Sequence, residues 1–199
     1  MNVSKTIQRS NKSIGTAFAM LFMGAVFTGC HKDKDPVITP PIIENESEVM
    51  TTFKLTFVDS AGIAPVITAE YSDPDGDGGN AAVKFDTIKL LPNKTYFAEV
   101  TILDETKIPV DSISKEIQEE GNDHLFFYTP LGIDATITLV DSDTNTPTPF
   151  PIGLQTKWKT MNSSSGTTHI VLRHQADVKN GAYAPGETDI DLTFQTKIQ

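Results

Sequence analysis

The stretch with the clearest ligand chemistry is Ser72-Asp73-Pro74-Asp75-Gly76-Asp77-Gly78-Gly79-Asn80. Its carboxylates fall at alternate positions, Asp73, Asp75 and Asp77, with glycine among and after them. That spacing can turn three oxygens onto one hard cation such as Ca²⁺, because small residues let the backbone curl around the ion. A second run, Asp141-Ser142-Asp143-Thr144-Asn145, repeats the alternation with Asp141 and Asp143. Two such loops at one end of a fold would share one or two ions. Otherwise Asp and Gly serve turn geometry alone.

The first run fits D-x-D-x-D-G, the opening half of an EF-hand loop. The twelfth position, where a bidentate Glu belongs, is Lys84, and no helices flank the loop, so it is not an EF-hand. The histidines offer softer ligands. His169 and His174 lie five apart on one predicted strand, which puts them on opposite faces unless a bulge intervenes. His124 opens Leu125-Phe126-Phe127-Tyr128 and would need a residue from a partner strand to hold a metal or a haem. Asp189 and Asp191 flank Ile190 and share an outward strand face. Trp158, between Lys157 and Lys159, reads as core. There is no G-x-S-x-G, H-E-x-x-H, phosphate loop or G-x-G-x-x-G before a helix, so the chain is expected not to be an enzyme.

The elements that must position these residues have period two. Phe53, Leu55 and Phe57 alternate with Thr52, Lys54 and Thr56. Val66–Tyr71, Phe85–Leu90, Tyr96–Ile102, Ala135–Leu139, Leu154–Thr160, Thr168–Arg173 and Thr188–Ile198 complete the set, separated by Asp75-Gly76, Pro92-Asn93, Ser163–Gly166 and Asn180-Gly181. Eight or nine short strands at this spacing predict an all-β antiparallel sandwich or barrel rather than a parallel sheet. One short helix is expected over Ile113–Glu120, capped by Asp111 or Ser112, ended by a left-handed Gly121, and apolar along Ile113 and Ile117.

Leu90-Leu91-Pro92-Asn93-Lys94-Thr95-Tyr96 is similar to the L-x-P-x-x-x-Y run of fibronectin type III and related immunoglobulin-like domains. The resemblance implies a Greek-key immunoglobulin-like sandwich, with Tyr96 as a tyrosine corner and Pro92 setting its turn.

The amino-terminal residues say where the chain is sent. Lys5, Arg9 and Lys12 precede an apolar run over 14–28, too short for a bilayer span of roughly 20 residues. Phe27-Thr28-Gly29-Cys30 resembles the bacterial lipobox, which implies a signal peptide over 1–29 and lipidation of Cys30, the chain's single cysteine. His31-Lys32-Asp33-Lys34-Asp35 resembles the Lys/Asp-rich export signal of Bacteroidota surface lipoproteins. Residues 30–47 then form an acidic, Pro-rich tether, with Pro36, Pro40 and Pro41 stiffening it, and 48–199 form one sandwich domain. The net charge of −10 becomes more negative once the leader is removed, which argues against nucleic-acid binding.

The lipobox, the tether, Ser72–Gly79, Glu119–Tyr128 and Gly186–Phe194 together resemble a group of short Bacteroidota lipoproteins. Some members bear a type 1 periplasmic-binding-fold label. That fold needs alternating βα units in two lobes, which this strand-rich chain does not supply. The resemblance brings no catalytic residues. The surface-export spacer, the long tether and the absence of catalytic motifs lead to the expectation of an outer-membrane, surface-displayed binding module that captures a ligand or metal, with a TonB-dependent transporter as partner. The alternative is a structural or adhesive immunoglobulin-like domain stabilised by Ca²⁺.

Overall fold

Alternation along the chain becomes alternation of burial in β1 (Thr52–Asp59), where Phe53, Leu55 and Phe57 have no solvent exposure. A computed structural model describes residues 49–76 and 78–199. The leader, Cys30, the tether and Asp77 lie outside the described residues. The remaining elements are β2 (Ile67–Ser72), β3 (Lys84–Phe85), β4 (Ile88–Leu90), β5 (Thr95–Leu103), α1 (Ile113–Glu119), β6 (His124–Leu131), β7 (Ala135–Leu139), β8 (Gln155–Thr160), β9 (Ser164–His174) and β10 (Glu187–Ile198).

They form a β-sandwich. One sheet runs β3-β2-β1-β5-β8-β7, the other β4-β10-β9-β6. Every pairing is antiparallel except that of β4 with β10. Aromatic rings join the two layers. Phe53 of β1 lies 6.5 Å from Phe126 of β6 and 5.9 Å from Phe194 of β10, and Trp158 of β8 meets Tyr128 of β6. Each such buried ring stabilises the fold by roughly 1.5–3 kcal/mol. Trp158 is fully buried, and its indole N–H donates to Thr156 Oγ1 at 2.8 Å. Among the described residues no helix is long and apolar enough to cross a membrane.

Three local expectations meet the structure differently. The run Phe85–Leu90 is not one strand: β3 pairs with β2 in one sheet, and β4 pairs with β10 in the other. Asp86 makes the step, its N–H donating to Glu70 O and its Oδ2 accepting from Glu70 N–H. Helix α1 buries Ile113 and Ile117 as predicted, but Ser112 makes no side-chain cap and Glu120 is the last half-helical residue. Gly121 is not left-handed. A Cβ there would stand 2.5 Å from Ile152 Cδ1, so the Ile152 side chain would have to shift.

The turn before β5 behaves as expected. Leu91 N–H donates to the Tyr96 hydroxyl at 3.1 Å, and Asn93 takes the left-handed conformation beside Pro92. Thr160 Oγ1 donates to Leu91 O at 2.7 Å, so the buried Tyr96 ties the turn to its own strand while Thr160 ties it to β8.

Candidate metal centre at the end of the four-stranded sheet

Two strand ends and a bulge build one cluster. His124 is the first residue of β6 and His174 the last of β9, and antiparallel pairing sets them directly opposite each other. Their rings stack, with centroids 4.7 Å apart and planes 8° from parallel. The third member comes from β10. Thr188 pairs with Arg173 and Ile190 with Leu172, so Asp189 is the extra residue of a β-bulge. A regular strand with Ile190, Leu192 and Phe194 inward would turn Asp189 outward beside Asp191. The bulge gives the outward place to Thr188, which receives Arg173 Nη1, and brings Asp189 Oδ2 to 3.9 Å from His124 Nε2. Asp189 and Asp191 are both exposed, as expected, but they face different partners, His124 and His169.

Ligand atoms of His124, His174 and Asp189 can be chosen so that all lie within 4.8 Å of one another. Among the described residues this is the one such group of three. Tetrahedral ligands about 2.1 Å from a Zn²⁺ ion lie roughly 3.4 Å apart, so binding requires the stacked rings to splay and the group to close by about 1 Å. His174 and Asp189 have the freedom to do so, because exposure rises from the buried His124 to Asp189.

The electrostatics favour neutral imidazole beside an acidic rim. His124 Nδ1 lies 3.1 Å from Glu120 O. A carbonyl only accepts, so Nδ1 carries the proton and the Nε2 lone pair is left for a metal. Burial holds His124 below its ordinary titration range, and burial raises Asp189 above the usual carboxylate value. Glu120 acts electrostatically on His124, and Glu187 on Asp189. A cation entering here meets two nitrogen donors, one carboxylate and further negative charge.

The segment holding His124 is braced by residues that read as ligands in sequence. Asp143 Oδ2 accepts from Lys179 Nζ at 2.8 Å, with both side chains almost wholly enclosed, and Lys179 also donates to Gly121 O at 2.7 Å. Burial pushes the Asp143 carboxyl up, but Lys179, the amides of Phe150 and Asn145 and the Asn145 side chain outweigh it, and its pKa is lowered. Asp141 accepts three backbone N–H groups, from Gly153, Leu154 and Gln155. Thr144 and Asn145 bond Asn122, while Gln175 N–H and Asp177 N–H bond Asp123. Gly186 returns the chain so closely that a Cβ would stand 2.1 Å from His174 O.

Asp141 and Asp143 therefore spend their oxygens on the protein's own donors. They do not converge with the first acidic loop either. Asp73 follows β2 and Asp141 follows β7, with β1, β5 and β8 between them, about 19 Å at roughly 4.8 Å per strand. Asp73 is buried and Asp75 is exposed, and Asp77 lies outside the described residues. His169 and His174 do not meet. His169 Nε2 instead lies 2.7 Å from Asp191 Oδ1 on the outward face. The cluster's sequence signal is slight: His124 stood out, but nothing marked its partner or the bulge that turns Asp189.

No family model, curated protein or solved structure matches this chain.

Proposed function

We propose that this chain is a lipid-anchored, non-catalytic binding module of a bacterial envelope, and that its cargo is a divalent transition-metal ion held by His124, His174 and Asp189. The observation that carries the reading is the meeting of those three residues at one sheet end. Two imidazoles and one carboxylate suit Zn²⁺ or Cu²⁺ better than Ca²⁺ or Mg²⁺, which prefer all-oxygen shells. Three ligands leave a position open, as exchangeable metal requires. Cys30 and its lipobox supply the anchor, residues 31–35 the surface address, and the resemblance to short Bacteroidota lipoproteins agrees with both. An outer-membrane transporter, of the TonB-dependent kind, is the partner that such capture would serve. A Greek-key, immunoglobulin-like connection of the strands is the finer fold reading that goes with it.

The test is titration of the full chain with Zn²⁺ and with Cu²⁺ by calorimetry, beside elemental analysis of the protein as purified. One metal bound per chain, with binding lost in His124→Ala and Asp189→Asn, supports the proposal. Absence of saturable binding, or binding untouched by both substitutions, rejects it. Hydrolysis of a model ester or phosphoester by the zinc-loaded chain would reject its non-catalytic part.

A further inference from the structure

A different chemistry stands in the loop after β2. Asp73 is 4 % exposed, and its Oδ2 accepts from the Tyr71 hydroxyl at 3.2 Å. Its Oδ1 is enclosed and has no hydrogen-bond partner among the described residues. A buried carboxylate oxygen left so is costly, by several kcal/mol for an uncompensated charge. The Asp75 side chain lies within hydrogen-bonding reach of the Asp73 side chain. Asp75 Oδ2 is taken by Asn80, whose backbone N–H lies at 2.9 Å and Nδ2 at 2.7 Å. None of the ion pairs among the described residues reaches Asp73 or Asp75. Two carboxyl groups in contact hold together through a shared proton or a shared cation.

We infer that a hard divalent cation of the Ca²⁺ type sits between Asp73 and Asp75, taking the orphaned Asp73 Oδ1 as its buried ligand and water for the rest of its oxygen shell. The choice of cation over proton follows from what surrounds the pair. Asp75 is exposed, so its negative charge is cheap to keep, and water is at hand to fill the six to eight oxygen positions such an ion takes. The consequence reaches the chain's start. Asp73 N–H donates to Thr51 O at 2.8 Å, and Gly76 packs on Val49 so closely that a Cβ would stand 2.7 Å from Val49 Cγ1. An ion at Asp73 stiffens the loop against residues 49–51, the point at which the sandwich is joined to the segment leading from Cys30. This site is independent of the histidine cluster and of the reading built on it.

Tb³⁺ is the probe, because a lanthanide takes Ca²⁺ sites and its emission is sensitised by a nearby tyrosine, here Tyr71. In the full chain, tyrosine excitation should give saturable Tb³⁺ emission that Ca²⁺ displaces. Asp73→Asn and the exposed Asp75→Asn should each reduce it tenfold or more, and His124→Ala should leave it unchanged. Chelation should lower the melting temperature of the unmodified chain. Emission that survives Asp75→Asn would overturn the inference, as would a melting temperature indifferent to Ca²⁺ and chelator but rising on acidification, the signature of a shared proton. If Asp73→Asn fails to fold, Asp75→Asn alone decides.

Discussion

Asp143 and Asp189 lie in two regions that bear on His124, and they do opposite things with the same functional group. Around Asp143 every carboxylate oxygen meets a donor of the protein: Lys179, Phe150 N–H and Asn145. Around Asp189 the groups that face each other are ligands with lone pairs: a carboxylate and two stacked imidazoles. A saturated polar network holds structure, and an unsaturated one is left able to take a ligand. The contrast separates a brace from a site although both are built from Asp in a strand-end loop or bulge.

The largest effect should come from breaking the brace. Asp143→Ala strands the Lys179 ammonium in an enclosed place, and loss of one partner of a buried pair costs about 3–5 kcal/mol. Urea denaturation reads it directly, and a loss under about 1 kcal/mol would show that the pair braces nothing. Replacing both partners, Asp143→Leu with Lys179→Met, should recover most of that loss. The site should respond the other way round. Asp189→Asn is expected to weaken Zn²⁺ binding on the order of 100-fold, at or beyond the range for losing an outer-shell partner, while stability moves by less than about 1 kcal/mol. Calorimetry and a thermal melt on one sample settle the pair of values.

Asp141→Ala should fall between these, because it strands three backbone N–H groups at about 1–3 kcal/mol in all and touches no proposed ligand. Acid should then distinguish the brace by sign. The Asp143 carboxyl titrates below 3.8 in the folded chain, so the stability it contributes is fully present above that value and is lost as pH falls through the folded value. Denaturation midpoints measured from neutral pH down past 3.8 should therefore fall less in Asp143→Ala than in the parent. The smallest effect belongs to the outward pair. Asp191→Asn alters an exposed hydrogen bond to His169, with side chains 39 % and 59 % exposed and worth at most about 1 kcal/mol, and should leave Zn²⁺ affinity unchanged.

Much of the fold could be read from residue types taken in order. The period-two runs that bury Phe53, Leu55 and Phe57, or Ile190, Leu192 and Phe194, are local, so a strand's face can be assigned without its partner. The helix over Ile113–Glu119 and the Tyr96 turn are local too. What escaped the reading depends on partners distant in the chain. Phe85–Leu90 looks continuous, but its two ends pair with strands of different sheets. Gly121 looks like a left-handed helix stop, yet it is not left-handed and packs against Ile152, thirty-one positions on.

The proposed site shows the same division most sharply. Composition and spacing determined a strand-rich fold and carboxylates at turns. They also marked His124 as the start of an aromatic run, but not the strand β6 that it opens. Only the tertiary structure decided that His174 stands opposite it, because strand register is a property of the pair and not of either strand. Only the tertiary structure turned Asp189 toward His124, because one unpaired residue in β10 reverses the facing of everything before it. Alternation tells a side chain which of two faces it takes, and a bulge changes the count from which that alternation starts.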